Sequence, residues 1–211
     1  MQLLAHRGLW TQSKEKNSLQ ALSASFDLGI GIETDVRDCN GTLVISHDAP
    51  LADKVFSLEA LLLAYIESST RPMLALNIKA DGLQAQLLEM LEKYSIDNYF
   101  VFDMSVPDTL GYQHLSMPFA ARISEYEPSN VLAKTAGWIW LDAFLNEWYD
   151  PAIIQHWLDQ GKKVAVVSSE LHRRPHLALW QSLKFLHDHP GLYLCTDLVA
   201  QATEFFDANK Y

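Results

Sequence analysis

Leu3-Leu4-Ala5-His6-Arg7-Gly8 and Ile32-Glu33-Thr34-Asp35-Val36 are short apolar runs with charge set into them or just behind them. Between them Leu19, Leu22, Phe26 and Ile30 recur at spacings of three and four, the period of an amphipathic helix. Gly29 and Gly31 end that helix. Residues 3–36 therefore read as strand, helix, strand.

The alternation continues outward. Asn40-Gly41 marks a turn before the run Leu43-Val44-Ile45, and Ser57 caps a helix through Leu58, Leu61, Leu62, Tyr65 and Ile66. Met73–Ile78 is a strand, and Leu83, Leu87, Leu88 and Leu91 are helical. Strands follow at 99–102, 119–123, 138–141, 164–167 and 192–195. Helices are expected over 106–115, from Pro151 to Leu158, over 175–186 and over 198–206. The strands are continuous apolar runs, as in a parallel sheet buried on both faces. About eight strand–helix units of about 26 residues fit a compact (β/α)8 TIM barrel, residues 1–211 forming one domain. The alternative is a doubly wound open sheet, but the first strand–helix turn lacks its glycine-rich phosphate loop.

Composition narrows the function. The 211 residues are 49% hydrophobic and 20% charged, enough apolar material for a full core. With 26 acidic and 16 basic residues, the net charge of −10 disfavours nucleic acid and anionic lipid as partners. Cys39 and Cys195 cannot form a disulfide framework, which points to a reducing, cytoplasmic setting. No signal peptide or membrane span is expected.

In a barrel, chemistry gathers where strands end. Here the strand ends carry His6-Arg7, Glu33 and Asp35, His47-Asp48, Asn77 and Lys79, Asp103, Arg122, Asp142, Ser168-Ser169-Glu170 and Thr196-Asp197. A purely structural barrel does not require that distribution. Glu33 and Asp35, two apart, face the same way and offer hard oxygens to Mg²⁺ or Ca²⁺. His6 and His47 can serve as acid and base near neutral pH. Lys79 supplies positive charge to an anionic transition state, and Arg122 can contact an anionic substrate group. Metal, lysine and two imidazoles describe phosphodiester cleavage better than glycoside hydrolysis, which needs two carboxylates across the scissile bond.

These residues resemble the glycerophosphodiester phosphodiesterase family. Its signature is matched by His6-Arg7-Gly8, Asn17-Ser18, Glu33-Thr34-Asp35-Val36 and His47-Asp48, and Leu194-Cys195-Thr196-Asp197 resembles its last strand. The match is dense only over residues 5–50. The resemblance implies a small-molecule phosphodiester substrate and a divalent cation held by Glu33, Asp35 and Asn77. It also implies His6, His47 and Lys79 as catalytic groups, with Arg7, Asn17 and Arg122 binding substrate. A substrate hydroxyl would attack phosphorus, giving a cyclic phosphate that water then opens.

Several positions depart from the family pattern. Glu15-Lys16 stands where Pro-Glu is usual, and Asn77-Ile78-Lys79 replaces Glu-x-Lys, removing one negative charge from the metal site. The small insertion after the His-Asp pair is essentially absent, and the tryptophan of the seventh strand is missing. Plainer readings stand beside each role. Glu33 and Asp35 can be salt-bridge partners, Lys79 can be their counter-ion, and Arg7 can brace the carboxylates or bind phosphate. His172-Arg173-Arg174 reads as a solvated loop, with gripping a second anionic group as the alternative. Two other functions remain open: a barrel that binds an anionic phosphate ligand without turnover, and a lyase that stops at the cyclic phosphate.

Overall fold

The computed structural model describes residues 1–51, 55–129 and 131–207. Parallel strands alternate with helices along the chain, and contacts cluster into two units, Ala5–Phe119 and Met1–Leu4 with Ala120–Tyr211.

The N-terminal strand β1 (Gln2–His6) delivers its last two residues to the first unit. There α1 (Leu19–Asp27) starts where the Ser18 hydroxyl accepts the Ala21 N–H at 3.2 Å. β2 (Gly31–Cys39) follows, then β3 (Thr42–Ile45) and the two-residue β4 (Phe56–Ser57). Ser57 caps α2 (Leu58–Glu67) as expected, its hydroxyl accepting the Ala60 N–H at 3.2 Å. β5 (Leu74–Ile78), α3 (Gln84–Lys93), β6 (Tyr99–Phe102) and α4 (Val106–His114) complete the unit.

β2 plays two parts. Its first half pairs in parallel with β5, Glu33 opposite Ala75 and Asp35 opposite Asn77, and β5 pairs in parallel with β6. Its second half turns at Asn40-Gly41 into an antiparallel ribbon with β3, Val36 opposite Ile45. Every residue of β5 and β6 is buried, which explains why both are apolar apart from Asn77. Leu22, Phe26, Leu61 and Tyr65 are fully buried along α1 and α2, and the Phe26 and Tyr65 rings meet edge-on at 5.1 Å. Each such side chain contributes about 1.5–3 kcal/mol through burial. Ala52, Asp53 and Lys54, in the stretch where the family's insertion was expected to be missing, lie outside the described residues.

The second unit holds a parallel run, β7 (Ala120–Ile123), β8 (Trp138–Leu141), β9 (Lys163–Val167) and β10 (Leu192–Thr196), each paired with the next. Its helices are α5 (Val131–Thr135), α6 (Pro151–Asp159), α7 (Leu177–Leu183) and α8 (Val199–Asp207). Asp150 caps α6 by accepting the Ile153 N–H at 3.1 Å, and Pro151 occupies the first turn. Two details depart from the sequence reading. α5 is too short to show a period, and α7 is shorter at both ends than the expected 175–186. Pro175 has no N–H to give, and Leu183 passes into successive turns. No described helix is long and apolar enough to cross a membrane.

Candidate active site

The chain leaves β1 through two consecutive left-handed residues, Arg7 at φ +60° and Gly8 at φ +86°. The turn is pinned by Arg7 N–H to Glu33 O at 2.9 Å and Gly8 N–H to Ala5 O at 3.2 Å. A side chain at position 8 would sit 2.6 Å from the backbone carbon of Ala21, so glycine is required on two counts. Asn17, also left-handed at φ +58°, donates its backbone N–H to Arg7 O at 3.0 Å. These links bring the His6-Arg7-Gly8 turn and the Asn17 loop against β2.

Five of the nominated side chains converge on Glu33 and Asp35 of that strand. His6 Nε2 lies 3.9 Å from Glu33 Oε2. Arg7 Nε is 3.0 Å from Asp35 Oδ2, and Lys79 Nζ is 3.5 Å from Asp35 Oδ1. Asn17 Nδ2 donates to Asp35 Oδ2 at 2.7 Å, while its Oδ1 accepts the Thr34 hydroxyl at 2.8 Å. Asn77 Nδ2 donates to Glu33 Oε1 at 3.2 Å. Arg7 and Lys79 thus each pair with Asp35.

The electrostatics are uneven. Glu33 and Asp35 are 2% and 0% exposed. Burial first, and the neighbouring Asp35 second, push the Glu33 carboxyl up to about 7, against the pull of His6, Arg7 and the Asn77 hydrogen bond. Among the described residues three buried oxygens of this cluster accept no hydrogen bond: Glu33 Oε2, Asp35 Oδ1 and Asn77 Oδ1. Lys79 is within ion-pair range of Asp35 Oδ1 and His6 of Glu33 Oε2, yet neither makes a hydrogen bond there. Buried oxygens left in this state are costly unless something else satisfies them. Among the described residues no group of three or more His, Cys, Asp or Glu side chains is set to hold a metal. Two carboxylates and an amide carbonyl form an incomplete donor set, of the kind Mg²⁺ accepts when water and substrate phosphate supply the rest.

His47 stands differently. Ser46 N–H bonds to Asp35 O at 3.0 Å, which places the end of β3 beside β2. The His47 ring, 46% exposed, turns its Nδ1 to Asp48 Oδ1 at 2.8 Å. Arg122 lies in the second unit and is paired through Nε with Glu127.

The sequence reading did not assign Asp103. It follows β6 in a left-handed conformation at φ +70°, and its Oδ2 lies 3.7 Å from Lys79 Nζ. The lysine is therefore held between two carboxylates. The available signal was its position just past a strand end. The reading of His172-Arg173-Arg174 as a solvated loop is corrected for two of its three residues. His172 Nε2 bonds Asp142 Oδ1 at 2.7 Å, and Arg174 reaches Glu147 Oε1 at 2.7 Å and Ala143 O at 2.6 Å. The buried Asp142 and Ala143 draw these side chains in from solvent, and the exposed Glu147 pairs with Arg174. Glu170, nearby in sequence, takes the Ser168 and Thr196 hydroxyls.

No protein-family model matches this chain, and no curated protein matches it. Solved structures do. A protein of Galdieria sulphuraria assigned as a glycerophosphodiester phosphodiesterase superposes with a TM-score of 0.75 at 17% identity, over 98% of this chain and 97% of its own. A phosphodiesterase of Oleispira antarctica, solved with its product sn-glycerol-3-phosphate, gives 0.73 at 18%, over 98% and 97%. A Ca²⁺-dependent phosphatidylinositol-specific phospholipase C of Streptomyces antibioticus gives 0.55 at 11%, over 97% and 95%. The fold is a (β/α)8 barrel of the glycerophosphodiester phosphodiesterase type. At these identities the likeness is one of fold, and it agrees with the architecture the apolar runs predicted. The doubly wound alternative is excluded.

Proposed function

We propose that this chain, as one barrel domain, is a divalent-cation-dependent phosphodiesterase acting on a small phosphodiester of the glycerophosphodiester kind. The observation that carries this reading is the set of three buried oxygens without donors, on Glu33, Asp35 and Asn77, beside His6. Those three residues would hold Mg²⁺ or Ca²⁺, which supplies charge neutralisation at the phosphate. Lys79 and Arg7 add fixed positive charge for the phosphate oxygens. Asn17 orients Asp35 rather than reaching for substrate, since both ends of its amide are engaged. Arg122 is the candidate for an anionic substituent.

His6 and His47 form the acid–base pair. A substrate hydroxyl attacks phosphorus and gives its proton to one imidazole, while the other protonates the departing alcohol. The products are a cyclic phosphate and a free alcohol, and water then opens the ring. Asp48 holds His47 Nδ1, so Nε2 is the nitrogen that exchanges the proton.

The test is turnover of a panel of glycerophosphodiesters by the purified chain, followed by phosphorus NMR. Turnover abolished by EDTA, with phosphomonoester as the end product, supports the reading. Accumulation of cyclic phosphate identifies a lyase. A second reading, an anion-binding barrel without turnover, is favoured by one observation: Arg7, Lys79 and Asn17 already surround Asp35. No turnover on any member of the panel decides for it.

A further inference from the structure

A cavity of about 580 Å³ lies wholly within the second unit, between the segment after β7 and the start of α6. Its volume is that of a small-molecule site. The indoles of Trp148 and Trp157, with Pro128 and Ile153, supply much of its apolar wall. Both indoles are anchored. Trp148 donates Nε1–H to Asp142 O at 2.8 Å, and Trp157 packs edge-on against His156 at 5.4 Å between ring centroids.

The charge on this wall has one sign. Glu125 and Asp150 both line the cavity, and among the described residues no lysine or arginine does. Glu125 accepts backbone N–H bonds from Phe144 and Leu145, which hold its carboxyl below the ordinary range against the effect of burial. Asp150 is fixed as the α6 cap. The remaining titratable group, His156, turns Nε2 to Gln160 at 2.7 Å. Rigid indoles with fixed negative charge attract an organic cation, because the ring face is itself electronegative. An anion would meet two carboxylates and no counter-charge.

We propose that this cavity binds a small organic cation, an alkyl- or arylalkyl-ammonium group, between Trp148 and Trp157 with its charge facing Glu125 and Asp150. The site is independent of the phosphodiesterase reading, since every residue it uses lies in 123–157.

The experiment titrates the full chain at pH 8 and constant ionic strength, following indole N–H resonances by NMR. Tetramethylammonium and benzyltrimethylammonium are the cationic probes, tert-butanol and benzyl alcohol their neutral counterparts. We expect saturable shifts of the Trp148 and Trp157 signals with the cations. The neutral counterparts should bind at least about tenfold more weakly. Glu125→Gln removes the charge, keeps one of the two acceptors for backbone N–H, and should weaken cation binding about threefold or more. Trp148→Leu should abolish it, with the dispersion of the remaining resonances reporting an intact fold. Equal binding of charged and neutral probes, or no shift at 100-fold molar excess of either, overturns the proposal.

Discussion

Glu33→Gln isolates the cost of burying the acidic pair. Glu33 is 2% exposed, and its carboxyl is raised from the usual 4.5 to about 7, chiefly by loss of water and next by Asp35. A group whose proton affinity rises on folding contributes stability that is complete below pH 4.5. That contribution is lost as the pH climbs through about 7. At about 1.36 kcal/mol for each tenfold change in proton affinity, the loss approaches about 3 kcal/mol by pH 8. For a chain of this length that corresponds to a fall in Tm of about 6–12 °C. Glutamine keeps the acceptor for Asn77 and cannot ionise, so the variant should be flat across this window. Thermal and urea unfolding of both proteins at pH 5 and pH 8 measure the difference. Adding Mg²⁺ or Ca²⁺ at pH 8 should restore wild-type stability, by about 2.7 kcal/mol at a hundred times the Kd, and leave the variant unmoved. Parallel pH profiles for the two proteins would refute the account of Glu33. A wild type indifferent to both cations would refute the metal site.

Asn77→Glu should tighten Mg²⁺ or Ca²⁺ binding by about tenfold, since it adds a third charge to the donor set. Calorimetry checks this, and unchanged affinity removes Asn77 from contact with the ion. His6→Ala should lower kcat at least about 100-fold with little change in Tm, and a variant of near-normal rate would exclude His6 as a proton carrier. Gly8→Ala should cost about 2 kcal/mol or more, because a methyl there meets Ala21 backbone at 2.6 Å from a left-handed residue. Equal urea midpoints for it and the wild type would show that the turn gives way.

The strands were legible because burial on both faces leaves unbroken apolar runs, as in Tyr99–Phe102 and Trp138–Leu141. The helix start at Ser57 was legible through its capping chemistry and that at Pro151 through the proline, whereas the caps Ser18 and Asp150 emerge from the structure. α5 was not, since five residues carry no period. At the site, the spacing of Glu33 and Asp35 places both on one side of a strand, and the structure brings His6, Arg7, Asn17, Asn77 and Lys79 to them. Asp103 escaped because its partner is set by the register of β5 against β6 and by its own left-handed backbone, neither of which a linear pattern shows. His172 and Arg174 were misjudged for the same reason, their acceptors lying 27 to 31 positions away.

The hairpin at the end of β2 separates two kinds of attachment. Glu33 and Asp35 are clamped in a ladder with β5, whereas His47 follows β3 at the open end of an antiparallel hairpin that β4 also flanks. The Asn40-Gly41 bend lies at the opposite end of that hairpin. Its length and sequence can therefore drift while Ser46 N–H, bonded to Asp35 O, keeps the root of the His47 segment against the acidic strand.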